Sequence, residues 1–404
     1  MAKDLQIPKE RFTCQSCGRC CRMWTITVDE ARVEQLRRED WGGEPFKKRL
    51  ATEGDSHAVR MVHGRCFFLD EENRCRIHGR LGYEAKPEGC KAFPLLVARV
   101  AGTTHLRLSF YCPTVSEGRG KPLPEQKRWI QSTVKAAGDV ERSVPLTLDG
   151  ELQISSRELE QIEDALCELL ERDEPVSDRL AACGALLQRL CARGQAQGKA
   201  GLAPALREVG QIDLATLAAE GRAAGSASAA GPVLSLFLGH DCGPGSLARM
   251  GRFFGVRLFN LKLGRLRSRL MGARASWRAI QRVPFEPSPT SRGLLTRYLL
   301  HKLRARRAVT GEHSLLSGFH LLAAAYAVIS LLSRMRAADQ EREAVTDEDV
   351  EMAVQAADLL VVEHSALYQG GMLAQLTEAV LGQAHLCGAL LNRVEPTQAV
   401  RANK

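Results

Sequence analysis

The sequence predicts a mainly α protein: an N-terminal loop-rich, metal-bound cysteine domain with short strands, followed by an all-α helical domain. Three observations carry this. Eight of the thirteen cysteines fall in the first 112 of 404 residues, leaving five for the remaining 292. From Glu125 onward, apolar residues recur at helical spacing between recognisable caps. Aromatics make up only 5% of the chain while Ala, Leu and Arg are abundant, which favours helix over sheet. A chain of this length holds two or three domains and buries a core without metal staples throughout.

The first element is Cys14-Gln15-Ser16-Cys17-Gly18-Arg19-Cys20-Cys21, four thiols in eight residues. Left alone, thiolates at that density repel or oxidise together, so the run asks for a cation. Its Cys-x2-Cys-x2-Cys spacing aims successive sulfurs at one point, as zinc and iron–sulfur sites require. Adjacent side chains diverge in most backbone geometries, so Cys20 and Cys21 are expected to serve different metals, or one of them to stand behind the ligands.

Residues 23–28 alternate as a short strand, and Thr27 or Asp29 caps a helix over about 30–38 with Val33 and Leu36 inside. A further strand follows at 57–63. Next, the polar residues 70–73 between Cys66 and Cys75 predict a turn between two extended arms, which brings those two thiols side by side. Cys90 comes after Pro87, and an alternating segment over 95–111 delivers Cys112, held extended by Pro113. Residues 1–122 thus form the cysteine domain.

The candidate ligands are Cys14, Cys17, Cys20, Cys21, Cys66, Cys75, Cys90 and Cys112. They suffice for two four-sulfur sites, or one site and a reactive remainder; one zinc, two zincs and a mixed iron arrangement all stay open. The competing interpretation is an architectural centre that only folds the domain. His57, His63, His78 and His105 offer a mixed ligand set. No apolar run of signal-peptide length opens the chain, so a reducing cytoplasm is expected, where clustered cysteines ligate metal rather than pair.

Beyond the domain, one helix covers about 126–137. Ser155-Ser156-Arg157-Glu158 is a capping box opening a helix to about 171, and another spans 176–193 after Pro175. Cys167, Cys183 and Cys191 fall among leucines at core spacing and read as buried thiols. Residues 123–222 form a helical region, 223–232 an Ala/Gly/Ser linker or mobile loop, and 233–404 a second helical domain. Its long helices fall at 291–306, 312–337, 347–367 with Thr346 as cap, and 373–391. The apolar stretch 315–332 reads as a core helix, not a membrane span.

The net charge of +9 conceals a basic segment, 249–307, with sixteen Lys or Arg against the single acid Glu286; its +15 leaves −6 for the rest. Basic helices are expected there. Arg257, Lys262, Arg265, Arg267, Arg269 and Arg274, interleaved with Phe253, Phe254, Phe259 and Trp277, suit phosphates and bases. The alternative packs Leu258, Leu261, Leu263, Leu266 and Leu270 inward and leaves the arginines solvated or paired with acids elsewhere. The acidic remainder weighs that alternative above nucleic acid, and a basic groove also suits an acidic protein partner or substrate.

Taken together, Cys14-x2-Cys17-x2-Cys20-Cys21, Cys66-Phe67-Phe68-Leu69-Asp70, Cys75-Arg76-Ile77-His78, Cys90 with Phe93-Pro94, and Cys112-Pro113 resemble the YkgJ-type cysteine-cluster family over about 11–120. That resemblance implies a zinc or iron centre, an iron–sulfur cluster included, on the eight cysteines. Cys20-Cys21 followed by Trp24, Ile26, Val28 and Asp29, with a long helical C-terminal part, is similar to the flagellin lysine N-methylase branch (FliB). This second resemblance implies S-adenosylmethionine as cofactor and lysines on a protein as substrate, and any enzyme here would then be a protein lysine N-methyltransferase. No Gly-rich strand-to-helix loop supports a Rossmann methyltransferase, and the Cys-x3-Cys-x2-Cys run of radical enzymes is not matched. The function expected first is therefore metal binding by a cysteine cluster. Lysine N-methylation is the alternative, and a nucleic-acid-associated metalloprotein the third. Asp29 and Asp70 read as cap and turn, so no general base is assigned.

Overall fold

A computed structural model describes residues 5–22, 26–41, 50–53, 56–62, 64–137, 145–223, 225–226, 228–241, 246–309, 313–363 and 378–395. The chain divides into two units. One comprises Ile7–Ala98 with Leu106–Val140, the other Met1–Gln6, Arg99–His105 and Glu141–Lys404.

The cysteine-bearing unit is built of short strands and short helices. Ile26–Val28 pairs antiparallel with Ser56–Val59, which pairs with Leu50–Glu53. Met61–Val62 pairs with Arg65–Cys66, and Arg11–Phe12 with Lys121–Pro122. The helix Glu30–Arg37 starts where its cap predicts: the Asp29 carboxylate accepts from the Arg32 backbone N–H at 2.8 Å, and Val33 and Leu36 are fully buried. Those two side chains join Val28, Trp41, Val59, Phe68 and Ile77 in one apolar cluster, against which Cys66, Cys75 and Cys90 pack. The second arm expected after Cys75 is not extended. A helix, Arg76–Leu81, begins there because Ile77 and Leu81, four apart, both reach the same core. The turn between Leu95–Val100 and Thr103–Leu108, at Ala101 and Gly102 in the other unit, takes positive φ at both residues as a two-residue hairpin loop requires.

The other unit is helical. Ser156–Leu170 carries the predicted capping box, with the Ser155 hydroxyl accepting from Glu158 N at 3.2 Å and the Glu158 carboxylate accepting from Ser155 N at 2.7 Å. Val176–Gln197 follows Pro175 and buries Leu180, Cys183, Leu186, Leu187 and Leu190; Cys167 and Cys191 are buried too. At the centre lies Leu315–Asp339, a 25-residue helix whose 315–332 stretch is wholly buried. Asp347–Ala357, Leu386–Val394 and Trp277–Arg282 surround it. Its apolarity all round follows from burial on every side.

Several readings change in detail. The helix opened by Thr346 ends at Ala357 and passes into a π turn, Asp358–Val362, while 364–367 lie outside the described residues. Within 223–232 a helix already begins, Ala230–Leu238. Part of the basic segment is not helical: Arg265–Ser268 and Ala273–Ser276 form an antiparallel hairpin. Its alternation explains why, since Leu266, Ser268, Ala273 and Ala275 are buried and Arg265, Arg267 and Arg274 exposed, a period of two.

Candidate metal centre

Five of the eight N-terminal cysteines line one cavity. They arrive from four separate segments. Cys20 and Cys21 sit on a 3-10 turn, Cys20–Arg22; Cys66 ends a strand; Cys75 caps Arg76–Leu81; Cys90 lies in Glu88–Ala92. Ile26, Val59, Phe68, Ile77 and Phe93 supply apolar walls, and Lys86 is the one charged residue among the described residues of the lining.

Local chemistry brings these segments together. Between Cys66 and Cys75 the chain turns at Asp70–Asn73, where the Asp70 carboxylate accepts from Arg74 N at 2.7 Å and Asn73 adopts φ +61°. Arg65 clamps the turn by donating to the carbonyls of Leu69 and Asp70 at 2.9 and 2.7 Å. The Cys14–Cys21 loop lies against it through Gly18, at φ +67°, where an added Cβ would stand 3.0 Å from Asn73 Cβ. Only glycine permits that approach without strain. Arg22 also donates to the Asn73 side-chain oxygen.

The sulfurs of Cys20 and Cys21 are 3.9 Å apart and line the same cavity, so the expected divergence is corrected. Their contact, then burial, raises the Cys20 pKa far above the ordinary thiol range. Burial pushes Cys66 up to about 11, with Cys75 and Cys20 adding to it. Burial likewise raises Cys90 well above its ordinary value, only partly opposed by Lys86. With no cation these thiols keep their protons at neutral pH; a bound cation would reverse that preference.

The remaining three cysteines stand apart from the cavity lining. Cys14 and Cys17 are exposed, whereas Cys112 is buried at the start of Pro113–Ser116. Burial carries Cys112 up to about 11, backbone N–H groups of Val115 and Thr114 oppose this, and the nearby Cys17 adds to it. The start of the loop is fixed by Gly120, whose Cβ would lie 2.3 Å from Thr13 N, and by Gln126, which donates to the Phe12 carbonyl at 2.9 Å. The Arg19 guanidinium lies 5.3 Å from the centre of the Tyr111 ring.

Among the described residues, no three Cys, His, Asp or Glu side chains stand close enough to enclose an ion. The cavity therefore presents thiols on shared walls, not a closed coordination sphere. Its donors nonetheless fit a soft or borderline metal, being all sulfur with an adjacent cation-bearing Lys86 that favours thiolate. None of the described histidines lines it. His57 pairs with Glu30 at 2.6 Å, His78 meets the Tyr83 ring edge-on, and buried His105 is pushed down to about 4 by burial, with Arg306 adding. His63 lies outside the described residues. Asp29 and Asp70 act as the cap and turn the sequence suggested. Lys86 and the apolar lining were not singled out from sequence; Lys86-Pro87, just before Cys90, was the available signal.

In the basic segment, part of the charge is neutralised internally. Lys302 pairs with Asp358 at 2.6 Å and Glu363 at 2.9 Å, Arg304 with Glu171 at 2.6 Å, and Arg306 with Glu160 at 3.0 Å. Phe259 and Trp277 are buried ring against ring, 5.3 Å between centres. Leu266 packs inward as expected, but Leu258, Leu261 and Leu263 are 48, 65 and 57% exposed, because Val256 and Phe259 take the inward face of their helix.

Thiols from separate segments gathered on short, loop-linked elements define a cysteine-cluster domain, and the comparisons agree. Residues 13–113 match the CxxCxxCC family, described as "Putative zinc- or iron-chelating domain". This part of the chain is a metal-binding cysteine-cluster domain of that type. The chain is similar to a lysine-N-methylase of Salmonella typhimurium, 28% identical over 117 residues, which cover 26% of this chain and 29% of the relative. An uncharacterised protein of Methanocaldococcus jannaschii is 29% identical over 111 residues, 27% of this chain and 38% of that one. The flagellar biosynthetic protein FliU of Salmonella muenchen is 29% identical over 105 residues, 24% and 62% respectively. Each match thus spans less than two thirds of the relative's length. No solved structure matches the chain.

Proposed function

We propose that the cysteine domain holds zinc or iron on Cys20, Cys21, Cys66, Cys75 and Cys90, with Cys14, Cys17 and Cys112 as a second donor group. The observation that carries this reading is the convergence of five thiols from four segments on one largely apolar cavity. Chains do not gather half-buried thiols at that density for packing alone, and sulfur donors suit zinc and iron above harder cations. A bound metal supplies the positive charge that lets these sulfurs lose their protons, and it ties the loops together. The protein's share is to hold the donors, exclude water with Ile26, Val59, Phe68 and Phe93, and place Lys86 beside them.

Anaerobic purification, metal analysis and visible absorption test this. Stoichiometric zinc in a colourless protein, or iron with sulfide and a charge-transfer band, is the expected result. Cys90→Ser should lose metal, Cys17→Ser should lose it from the second group, and Cys191→Ser, in the helical core, should retain all of it. Metal-free, folded wild-type protein would sink the proposal.

The likeness to Salmonella lysine-N-methylase favours a second reading, methyl transfer from S-adenosylmethionine to lysines of a protein. Among the described residues no carboxylate lines the thiol cavity, so the ribose and amino groups of that cofactor find no acidic acceptor among them. The cofactor does not fit that cavity. Incubating the purified protein with S-adenosylmethionine and a lysine-rich protein should give a mass gain of one methyl group per modified lysine; no gain over a heat-treated control removes the reading.

A further inference from the structure

The exposed large apolar side chains of the described residues gather in one place. Apart from Tyr83 they are Phe253, Phe254, Leu258, Leu261 and Leu263. On the helix Ser246–Asn260, Val256 and Phe259 are buried. Phe254, Leu258 and Leu261 fall at i, i+4 and i+7 on the outward side, continuing into the turn beyond the helix. That is the narrow seam of helix–helix packing, not the broad face of a helix lying in lipid.

Cations surround the seam. Arg257, Arg265, Arg267, Arg269, Arg274 and Arg278 are exposed, and no acid occurs between Asp241 and Glu286. The helix and the strand Arg265–Ser268 are in contact, which places the exposed arginines of that strand on an element adjoining the seam, with Arg257 on the seam's own helix. A second copy of this chain meeting it face to face would oppose like charges. Nor do the chain's own residues 364–377 or 396–404 complement it, since neither stretch contains an acid.

We propose that this surface receives an acidic amphipathic helix of another protein. The partner's apolar stripe would cover Phe254, Leu258 and Leu261 while its flanking carboxylates meet the arginines. Guanidinium forks pair carboxylates two bonds at a time, and arginine with aromatic residues is the composition enriched at interface centres. This surface is separate from the thiol cavity in its residues, and the proposal stands without the metal reading.

The test is fluorescence anisotropy of the full chain against a three-heptad helical peptide with Leu along its seam and Glu on both flanks. The same peptide with Lys in place of Glu is the control. The Glu peptide should bind and the Lys peptide should not. Leu258→Ser with Leu261→Ser, and Arg257→Glu with Arg265→Glu, should each weaken binding about tenfold or more. All four side chains are exposed, so both variants should keep the wild-type circular dichroism and metal content, which separates this outcome from any failure of the metal centre. Equal binding of the two peptides, or variants that bind unchanged, would overturn the proposal. So would absent peptide binding together with binding to phosphatidylserine vesicles or a single-stranded oligonucleotide that the same substitutions abolish.

Discussion

Asp349 shows how a single buried charge is made stable. It is fully buried, yet it accepts from Arg342 at 2.6 and 2.8 Å, from Arg336 at 2.6 Å and from the Thr346 backbone N–H at 2.8 Å. Burial pushes its pKa up, but the hydrogen bonds from Arg342, Thr346 and Arg336 outweigh it and hold the carboxyl at about 2. Because the folded value lies below the unfolded one, the charge contributes stability above about pH 4, and that contribution is lost as the pH falls toward 2. The shift corresponds to about 2 kcal/mol. Asp349→Asn should therefore lower stability by about that much at pH 7, with the gap to wild type narrowing below pH 4. Urea unfolding of both proteins between pH 7 and pH 3 measures it, and a gap independent of pH would show that the carboxylate's charge is not its source. Thr346 was legible as a cap from sequence alone, whereas the two arginines were not, since Arg336 belongs to a helix whose packing no local pattern reveals. The cysteines divide the same way. Their chemistry could be read from type and spacing, but their sorting into cavity and periphery depends on where Gly18 meets Asn73, a contact 55 positions apart in the chain.

At the scale of elements, legibility followed the strength of the local signal. Helices with a side-chain cap and a sustained apolar stripe, such as Glu30–Arg37 and Ser156–Leu170, lie within a residue or so of their predicted limits. The hairpin Arg265–Ser268 with Ala273–Ser276 was missed because arginine and leucine favour helix, and four residues of alternation are too short to outweigh that preference until the partner strand is present. Helix Arg76–Leu81 was hidden for a related reason. Its six residues show one apolar pair, and only the core at Phe68 and Trp41 reveals why Ile77 and Leu81 share a face. On Ser246–Asn260 the leucine spacing suggested Leu258 as an inward residue, but Val256 and Phe259 take that face and Leu258 is left to solvent.

At the scale of the whole molecule, the two units rest on different sources of stability. The helical unit has a 25-residue central helix with 22 residues buried and leucine-rich neighbours around it. The cysteine unit has strands of two to four residues, and its main apolar cluster borders on a cavity lined with thiols. Strands that short are marginal without further ties, so a metal on the converging cysteines would provide much of what holds them. A ligand bound to the folded state at a hundred to a thousand times its dissociation constant adds about 3 to 4 kcal/mol. Metal removal by a chelator under reducing conditions should thus abolish amide-exchange protection across 26–37 and 56–92 while leaving 156–223 and 315–357 protected as before. Restoring the metal should restore the pattern. Protection lost equally in both units would mean that the helical core depends on the metal as well, and protection lost in neither would mean that the apolar cluster around Val33, Leu36 and Phe68 suffices to hold the cysteines where they are.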